Sequence, residues 1–260
     1  MDCNVKGNKI ENVFPLWKFE DGFLVSKMAD VTICYELTLP QVFTMEETDY
    51  DELHLAFLRS FRDLPDYTIV HGQDVFSVER YGVEATEGSF LSDSYWKHFS
   101  GREYLKHRSF LYVTLSSKES ATGYSTSSAL CKNKLIPKKM LDEGRINEFR
   151  ESVDKLKQVL HEAGISIRPL SESEIIGDEA KFGIVEQYMA LDFSGETMVL
   201  KDLHVEDGTL MVGDKFVSCF SIADLEVVPI EVGNCSYNKK LSHPPQFHIP
   251  QSFVANFSLN

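Results

Sequence analysis

Apolar and polar residues alternate between Val31 and Leu39, and Pro40 ends the run. A period of two that is rich in β-branched residues predicts a strand with one buried face. Upstream, apolar residues lie on both sides of Glu20-Asp21-Gly22. This pattern predicts a β-hairpin that enters near Phe14 and returns through Phe23-Leu24-Val25.

Two segments repeat their apolar residues at helical spacing. The first carries a stripe of five residues and is stopped by Leu64-Pro65; the stripe is Tyr50, Leu53, Phe57, Phe61 and Leu64. Thr44 or Thr48 could cap its start. The second helix is predicted to end at Gly164, and its stripe is Ile146, Phe149, Val153, Leu156, Leu160 and Ala163.

The region between these helices is predicted to hold strands, a short helix and a loop. Tyr67–Val70 and Val75–Val78 are predicted as strands, or as one long strand interrupted at Gly72. The remaining predictions are a helix at Ser94–His107, a strand covered on both faces at Phe110–Leu115, and a flexible loop at Ser116–Ser128.

After Gly164 the elements become shorter. We predict a strand at Ile165–Pro169 and a helix at Phe182–Leu191. A small meander follows at Met198–Val205, Thr209–Val212 and Lys215–Ile222. Phe253–Leu259 is typical of the first half of a strand that has no partner after it.

Together these elements predict an α+β fold, with a two-layer unit of sheet and helix followed by a smaller β-rich unit. We assign residues 10–175 to the first unit, which we interpret as an assembly domain, and residues 176–232 to the second. Residues 233–260 are predicted to form an extended arm.

Charge and composition restrict the function. The formal net charge of −14 argues against direct binding of nucleic acid, which needs clustered positive charge. The five cysteines are scattered, which fits a reducing compartment. Because neither a signal peptide nor a long apolar run is visible, we expect a soluble, cytoplasmic protein.

No catalytic motif is found. The chain has no Gly-Lys pair and hence no P-loop, and neither a Gly-x-Gly-x-x-Gly nor a Gly-x-Ser-x-Gly motif. His54 could face Asp51 or Glu47 across a helical turn, but a metal site needs three or four convergent ligands. His243 and His248 lack a neighbouring carboxylate or thiol. The acidic cluster Asp49-Asp51-Glu52 suits the start of a helix, and the basic stretch His98–Arg108 suits a solvated face. We therefore predict no catalytic residue, no cofactor and no metal.

Several short sequence motifs, here called words, follow one another along the chain in a characteristic order. The words include Phe14-Pro15-Leu16, Glu20-Asp21-Gly22, Ser26–Thr32, Leu39–Thr44, Leu64–Tyr67, His71–Phe76, Ser89–Leu91, His98-Phe99, Leu130-Cys131, Phe182–Glu186 and Met211–Lys215. Over roughly residues 10 to 240 this set resembles the N-terminal region of TraG-type conjugation ATPases of conjugative transposons. The stretch Leu241–Phe253 departs from that family's pattern.

The resemblance implies a non-catalytic N-terminal domain, because in that family the P-loop lies in a separate C-terminal motor domain. It implies a bacterial protein of type IV secretion whose partners are protein subunits of a conjugation complex at the inner membrane. Any peripheral membrane association would run through those partners. The residues leave two alternatives open, a free-standing cytoplasmic adaptor and a small-molecule hydrolase with a carboxylate site.

We expect the contact surface on the N-terminal hairpin. Phe14, Leu16, Trp17 and Phe19 provide more apolar surface than a two-stranded ribbon can bury alone. These side chains either fold back on the main sheet or remain exposed as an anchor for a partner.

Overall fold

The structure is a computed structural model of the 260-residue chain. It describes residues 15–40, 45–82, 90–116, 143–178, 181–190, 203–206, 208–213, 215–218 and 253–259. The predictions for Phe14, Thr44, residues 117–128 and residues 233–252 lie outside these ranges. Within the described part of the chain, no helix combines the length and the apolar character that a membrane crossing requires.

The chain forms ten strands and five helices in the described ranges. The strands are β1 (Leu16–Glu20), β2 (Phe23–Ser26), β3 (Val31–Thr38), β4 (Thr68–Arg80), β5 (Glu103–Leu115), β6 (Ser166–Pro169), β7 (Leu203–Glu206), β8 (Thr209–Val212), β9 (Lys215–Val217) and β10 (Phe253–Leu259). The helices are α1 (Glu47–Arg62), α2 (Phe90–Phe99), α3 (Glu143–Glu162), α4 (Glu172–Ile175) and α5 (Ile184–Ala190).

Seven strands form the larger sheet, in the order β1-β2-β3-β5-β4-β10, with β6 also paired to β3. The pairing of β3 with β5 is antiparallel and matches Ile33 with Val113. β2 and β6 pair with successive parts of β3, at Val31–Thr32 and at Tyr35–Thr38 respectively. The strand predicted from the alternation at Val31–Leu39 therefore pairs with three other strands of the larger sheet.

The hydrophobic core lies between this sheet and the helices α1 and α3. Phe149, Val153, Leu156 and Leu160 of α3 are buried against residues of β2, β3 and β5. Leu53, Phe57 and Phe61 of α1 pack against the same cluster from the side. Both helical stripes predicted from the sequence are confirmed, because each presents its apolar face to the sheet.

The chain divides into two compact units that are not continuous in sequence. Unit 1 comprises residues 1–73, 109–172 and 256–260, and unit 2 comprises residues 74–108 and 173–255. A separate antiparallel sheet of β7, β8 and β9 lies in unit 2 and corresponds to the predicted meander. The predicted α+β class, with a larger and a smaller sheet, is confirmed. The segment 74–108, which the sequence assigned to the first unit, groups with the C-terminal part of the chain.

Three local predictions need correction. The helix predicted at Ser94–His107 ends at Phe99, and residues from Glu103 onward belong to β5. Gly101 has a φ of 74°, a conformation that favours glycine and terminates the helix. Helix α1 is capped by neither threonine: Glu46 is the N-cap residue, and its backbone N–H donates a 2.8 Å hydrogen bond to Asp49 Oδ2.

The third correction concerns Phe253–Leu259, which the sequence placed in an extended arm, as the first half of a strand with no partner after it. It forms β10 and lies beside β4 in the larger sheet. β4 itself is one uninterrupted strand from Thr68 to Arg80, so Gly72 does not divide it.

Candidate protein-contact surface

Three of the four predicted contact residues, Leu16, Trp17 and Phe19, lie on β1 of the β1–β2 hairpin, at the edge of the larger sheet. Its turn consists of Asp21 and Gly22, which have φ angles of 52° and 84°. Two successive residues with positive φ twist in the sense that a two-residue hairpin requires, and Asp-Gly is a preferred pair for such a turn. The turn sets the register, with Glu20 paired to Phe23 and Phe19 paired to Leu24.

Trp17 lies where this register is interrupted. The pairing shifts between Leu16 and Lys18, so Trp17 occupies an irregular position on an edge strand. Its side chain is 53% exposed, and Lys18 Nζ lies 4.7 Å from the centroid of its ring. Lys18 also forms an ion pair with Glu20. A large aromatic side chain is therefore held at the surface, bordered by charges of both signs.

Phe19 differs from Trp17 because it lies over the sheet. It begins a row of paired residues that crosses four strands, Phe19, Leu24, Thr32 and Thr114. Directly paired side chains share a face of the sheet. The hydroxyl groups of Thr32 and Thr114 are 2.8 Å apart in this row. Phe19 and Leu24 are each half-buried, which leaves part of both side chains accessible.

The structure thus brings Leu16, Trp17 and Phe19 together on β1, with Leu16 and Phe19 half-buried and Trp17 exposed. Phe14 is outside the described residues. For Trp17 the exposed alternative agrees with the structure, whereas Phe19 folds back in part over the sheet.

A neighbouring apolar side chain was missed by sequence reasoning. The turn between β2 and β3 exposes 55% of Met28. This turn lies next to the start of β1, because Lys27 N donates a 2.7 Å hydrogen bond to Pro15 O. The available signal was a single apolar residue flanked by Lys27 and a small residue in an otherwise polar turn. We define the hairpin surface as Leu16, Trp17, Phe19, Leu24 and Met28.

The turn that carries Met28 is held by a closed set of hydrogen bonds. Ser26 Oγ donates to Asp30 Oδ2 at 2.9 Å, while Asp30 N and Met28 N donate to Ser26 Oγ at 3.0 and 3.1 Å. Ala29 adopts a φ of 67°, which is uncommon for a residue with a side chain. These contacts fix the backbone on which Met28 is displayed.

Several side chains of the basic stretch His98–Arg108 contact other side chains of the protein. Lys106 Nζ lies 3.0 Å from Glu79 Oε1, and His107 Nε2 lies 2.8 Å from Asp74 Oδ1. The His107 ring also stacks on Phe76 with a centroid separation of 4.4 Å. Arg108 donates to Gln187 Oε1 at 3.3 Å. These basic side chains therefore face other side chains of the protein instead of forming an open phosphate site.

A second exposed apolar surface occurs on α2, a region where the sequence predicted a helix but no contact surface. Phe90, Leu91 and Tyr95 are 82%, 77% and 56% exposed. On another side of α2, the Trp96 ring stacks on Tyr81, the residue after β4, with a centroid separation of 5.5 Å. The signal was present as two adjacent apolar residues followed by a third at helical spacing.

The chemistry available on the hairpin surface is apolar contact with a charged border. Among the described residues, no group of His, Cys, Asp or Glu side chains is arranged to hold a metal ion. Cys34, on the sheet face that carries Thr32, is buried, and desolvation raises the pKa of its thiol to about 12. A thiol with that pKa is protonated at neutral pH and is a poor nucleophile.

Comparison with known proteins adds one partial similarity. A family model described as "Domain of unknown function, B. Theta Gene description (DUF3875)" matches residues 4–55. Among the described elements, this stretch includes β1, β2, β3 and the first half of α1. No curated protein matches the chain.

Proposed function

We propose that this chain is the non-catalytic N-terminal assembly domain of a conjugation ATPase of type IV secretion, and that it docks through the hairpin surface. In this proposal its partners are protein subunits of the conjugation complex at the inner face of the cytoplasmic membrane. The domain itself hydrolyses no nucleotide and binds no DNA.

The observation that carries the docking role is the 53% exposure of Trp17 on an edge strand. Aromatic side chains at the centre of an apolar patch are frequent anchors in protein–protein interfaces. Leu16, Phe19 and Met28 extend the apolar area around it, and Lys18 and Glu20 provide a polar border. An edge strand also offers backbone groups with which a partner strand could pair.

The choice of family rests on the ordered sequence words, which resemble TraG-type conjugation ATPases. The match to the domain of unknown function at residues 4–55 includes the whole hairpin. The net charge of −14 favours a partner that is basic or apolar over one that is a polyanion.

The gene itself offers the most direct test of the family assignment. If the proposal is correct, the reading frame continues past Asn260 into a domain with a Gly-x-x-x-x-Gly-Lys-Ser/Thr motif. A stop codon directly after Asn260, with no such motif encoded nearby, would contradict the assignment to a motor protein.

The docking role is tested by Trp17→Ala in a cell that carries the conjugative element. We expect DNA transfer to fall by about tenfold or more, because loss of a hot-spot anchor costs about 2 kcal/mol of binding or more. The matched control is Phe216→Ala, since Phe216 is 71% exposed but lies on β9 of the smaller sheet and is not part of the hairpin surface. Equal transfer by both variants at equal protein levels would rule out Trp17 as an anchor.

A further inference from the structure

Helix α1 has a second face that the core does not use. Leu53, Phe57 and Phe61 point to the core, whereas the opposite side carries Asp51, Leu55, Leu58 and Arg62, all exposed. Leu55 and Leu58 are 46% and 54% exposed. Two adjacent leucines of this exposure on one helix face are an unpartnered apolar surface, and a charged residue stands at each end of it.

The spacing of these four residues is that of a coiled-coil seam. Steps of four, three and four residues from Asp51 to Arg62 place them at alternating d and a positions of a heptad. The order of the residues is also symmetric. The pair Leu55 and Leu58 and the pair Asp51 and Arg62 share one midpoint, between Ala56 and Phe57. The charge is negative at the N-terminal end of the face and positive at the C-terminal end.

We propose that this face of α1 pairs with the same face of a second copy of the chain, with the two helices antiparallel. In an antiparallel seam each a position meets a d position of the partner helix. Leu55 of one copy then meets Leu58 of the other, and Asp51 of each copy meets Arg62 of the other. A two-fold axis produces both contacts twice, as an isologous interface requires.

The charges select this arrangement over others. A parallel pair of helices would place Asp51 against Asp51 and Arg62 against Arg62, which is unfavourable. Glu52 and Arg59 flank the seam on one side, and the antiparallel arrangement brings these opposite charges near each other as well. Within the residues that the structure describes, the side chain of neither Asp51 nor Arg62 takes part in an ion pair or hydrogen bond. Both are therefore available to the second copy.

The association is expected to be weak and reversible. Only two leucines per copy form the apolar centre, which is small for a permanent dimer. The net charge of −14 on each copy also opposes their approach. We expect a monomer at low concentration and a dimer at high concentration or where a larger assembly holds several copies together. This pairing does not depend on the hairpin surface or on its partner.

Sedimentation velocity of the full chain, over about a hundredfold range of concentration up to about 1 mM, tests the pairing. We expect the average mass of the wild-type chain to rise with concentration towards that of a dimer. Asp51→Arg and Arg62→Asp should each weaken the dimer by about tenfold or more, because each creates two like-charged contacts. The double variant with both substitutions should associate as the wild type does, because its antiparallel contacts are again of opposite sign.

The two single variants also separate pairing from net charge. Asp51→Arg makes the chain less negative by two charges and Arg62→Asp makes it more negative by two, relative to −14. If general repulsion controlled association, Asp51→Arg would associate more strongly than the wild type, and that outcome would overturn the proposal. An equimolar mixture of the two single variants should form a heterodimer, since every contact across the seam then joins opposite charges.

Leu55→Ser and the control Leu91→Ser complete the test. Leu91 is 77% exposed on α2, so its replacement should leave the dimer unchanged, whereas Leu55→Ser should abolish it. All substituted positions are exposed, and circular dichroism should show an unchanged fold. A wild-type chain that stays monomeric throughout, or a dimer that Leu55→Ser does not weaken, would refute the proposal. The proposal would also be refuted if the wild-type chain is monomeric and Leu55→Ser instead abolishes binding of a different protein.

Discussion

Ser116 Oγ donates a 2.8 Å hydrogen bond to Asp30 Oδ1, which ties the residue after β5 to the residue before β3. The other carboxylate oxygen of Asp30 accepts a hydrogen bond from Ser26. One side chain thus links the turn that displays Met28 to the central strand of the sheet. Arg145, in the first turn of α3, donates to the backbone oxygen of Ser116 and extends the link to a helix.

Replacement of Asp30 should therefore be costly. We expect Asp30→Ala to lower the free energy of unfolding by about 2–3 kcal/mol, because it leaves two hydroxyl groups in a part-buried site without their acceptor. Ser116→Ala removes one of these bonds and should cost about 1 kcal/mol. Urea denaturation of the two single variants and the double variant measures their coupling. If the two losses simply add, the hydrogen bond between these residues contributes no stability.

A second prediction concerns a close approach of two glycines in unit 2. A Cβ atom on Gly183 would lie 2.3 Å from Gly177 N and 2.5 Å from Ile175 O, which are backbone atoms that cannot turn away. Gly183→Ala should lower stability by about 2–3 kcal/mol through overpacking. Gly82→Ala is the control, because nothing lies within 4 Å of its added Cβ. Thermal unfolding should separate the two variants, and an equally small shift for both would contradict the close packing.

Local backbone geometry explains the residue types in several of the sequence words that carry the resemblance. Asp21-Gly22 forms the tight hairpin turn with positive φ at both positions. Gly183 leaves room for the loop from Gly177, and Glu186 Oε2 accepts a hydrogen bond from Gly183 N at 3.3 Å. Short words of this kind are recognisable in a sequence because turns and close approaches tolerate few residue types.

One strongly apolar face made two of the main elements predictable from the sequence. β3 and α3 each bury a periodic stripe, so period and burial agree. The end of the helix predicted at Ser94–His107 was wrong for the opposite reason. Residues 103–107 are exposed on both faces of β5, so no alternation of burial marks them. What makes them a strand is pairing with β4, supported by contacts such as Tyr104 with Glu79 and Arg80 with Glu103.

The division into units could not be deduced from the sequence, because both boundaries within the first 110 residues fall inside strands. One lies in β4 between Gln73 and Asp74, and the other in β5 between Arg108 and Ser109. Composition does not change at either point. Similarly, the exposure of Trp17 depends on an irregular register with β2, whereas its residue type alone favours burial.

A third prediction follows from the buried thiol of Cys34. Burial raises its pKa from 9.0 to about 12, so the folded protein keeps the proton at a pH at which the unfolded chain releases it. Between these pH values the unfolded state binds fewer protons, and stability must fall as pH rises. Burial, with a contribution from Asp154, also raises the pKa of Tyr35 and acts in the same direction at higher pH.

The measurement is urea denaturation at several pH values from 8 to 11, a window that begins below the ordinary thiol pKa of 9.0 and ends below the folded-state Cys34 pKa of about 12. Wild-type stability should decline across it with a contribution from Cys34 of at most about 1.4 kcal/mol per pH unit. Cys34→Ala should show a shallower decline, since one proton no longer takes part. Parallel curves for the two proteins would mean that the thiol ionises as readily in the folded state as in the unfolded state.

The last prediction distinguishes an exposed aromatic residue of the β1–β2 hairpin from one that packs in the core. Trp17 on β1 is 53% exposed, whereas Phe23 on β2, just beyond the turn, is 6% exposed and belongs to the core cluster. Phe23→Ala should therefore lower the free energy of unfolding by about 3–5 kcal/mol, while Trp17→Ala should cost about 1 kcal/mol or less. The two aromatic residues are six positions apart on one hairpin, so a general effect of disturbing the hairpin would appear in both variants. Chemical denaturation of both proteins gives the comparison.

A loss of stability for Trp17→Ala as large as that for Phe23→Ala would place Trp17 in the core and remove it from the hairpin surface. A small loss, combined with reduced DNA transfer by the same variant, would identify Trp17 as a residue whose role is contact with a partner.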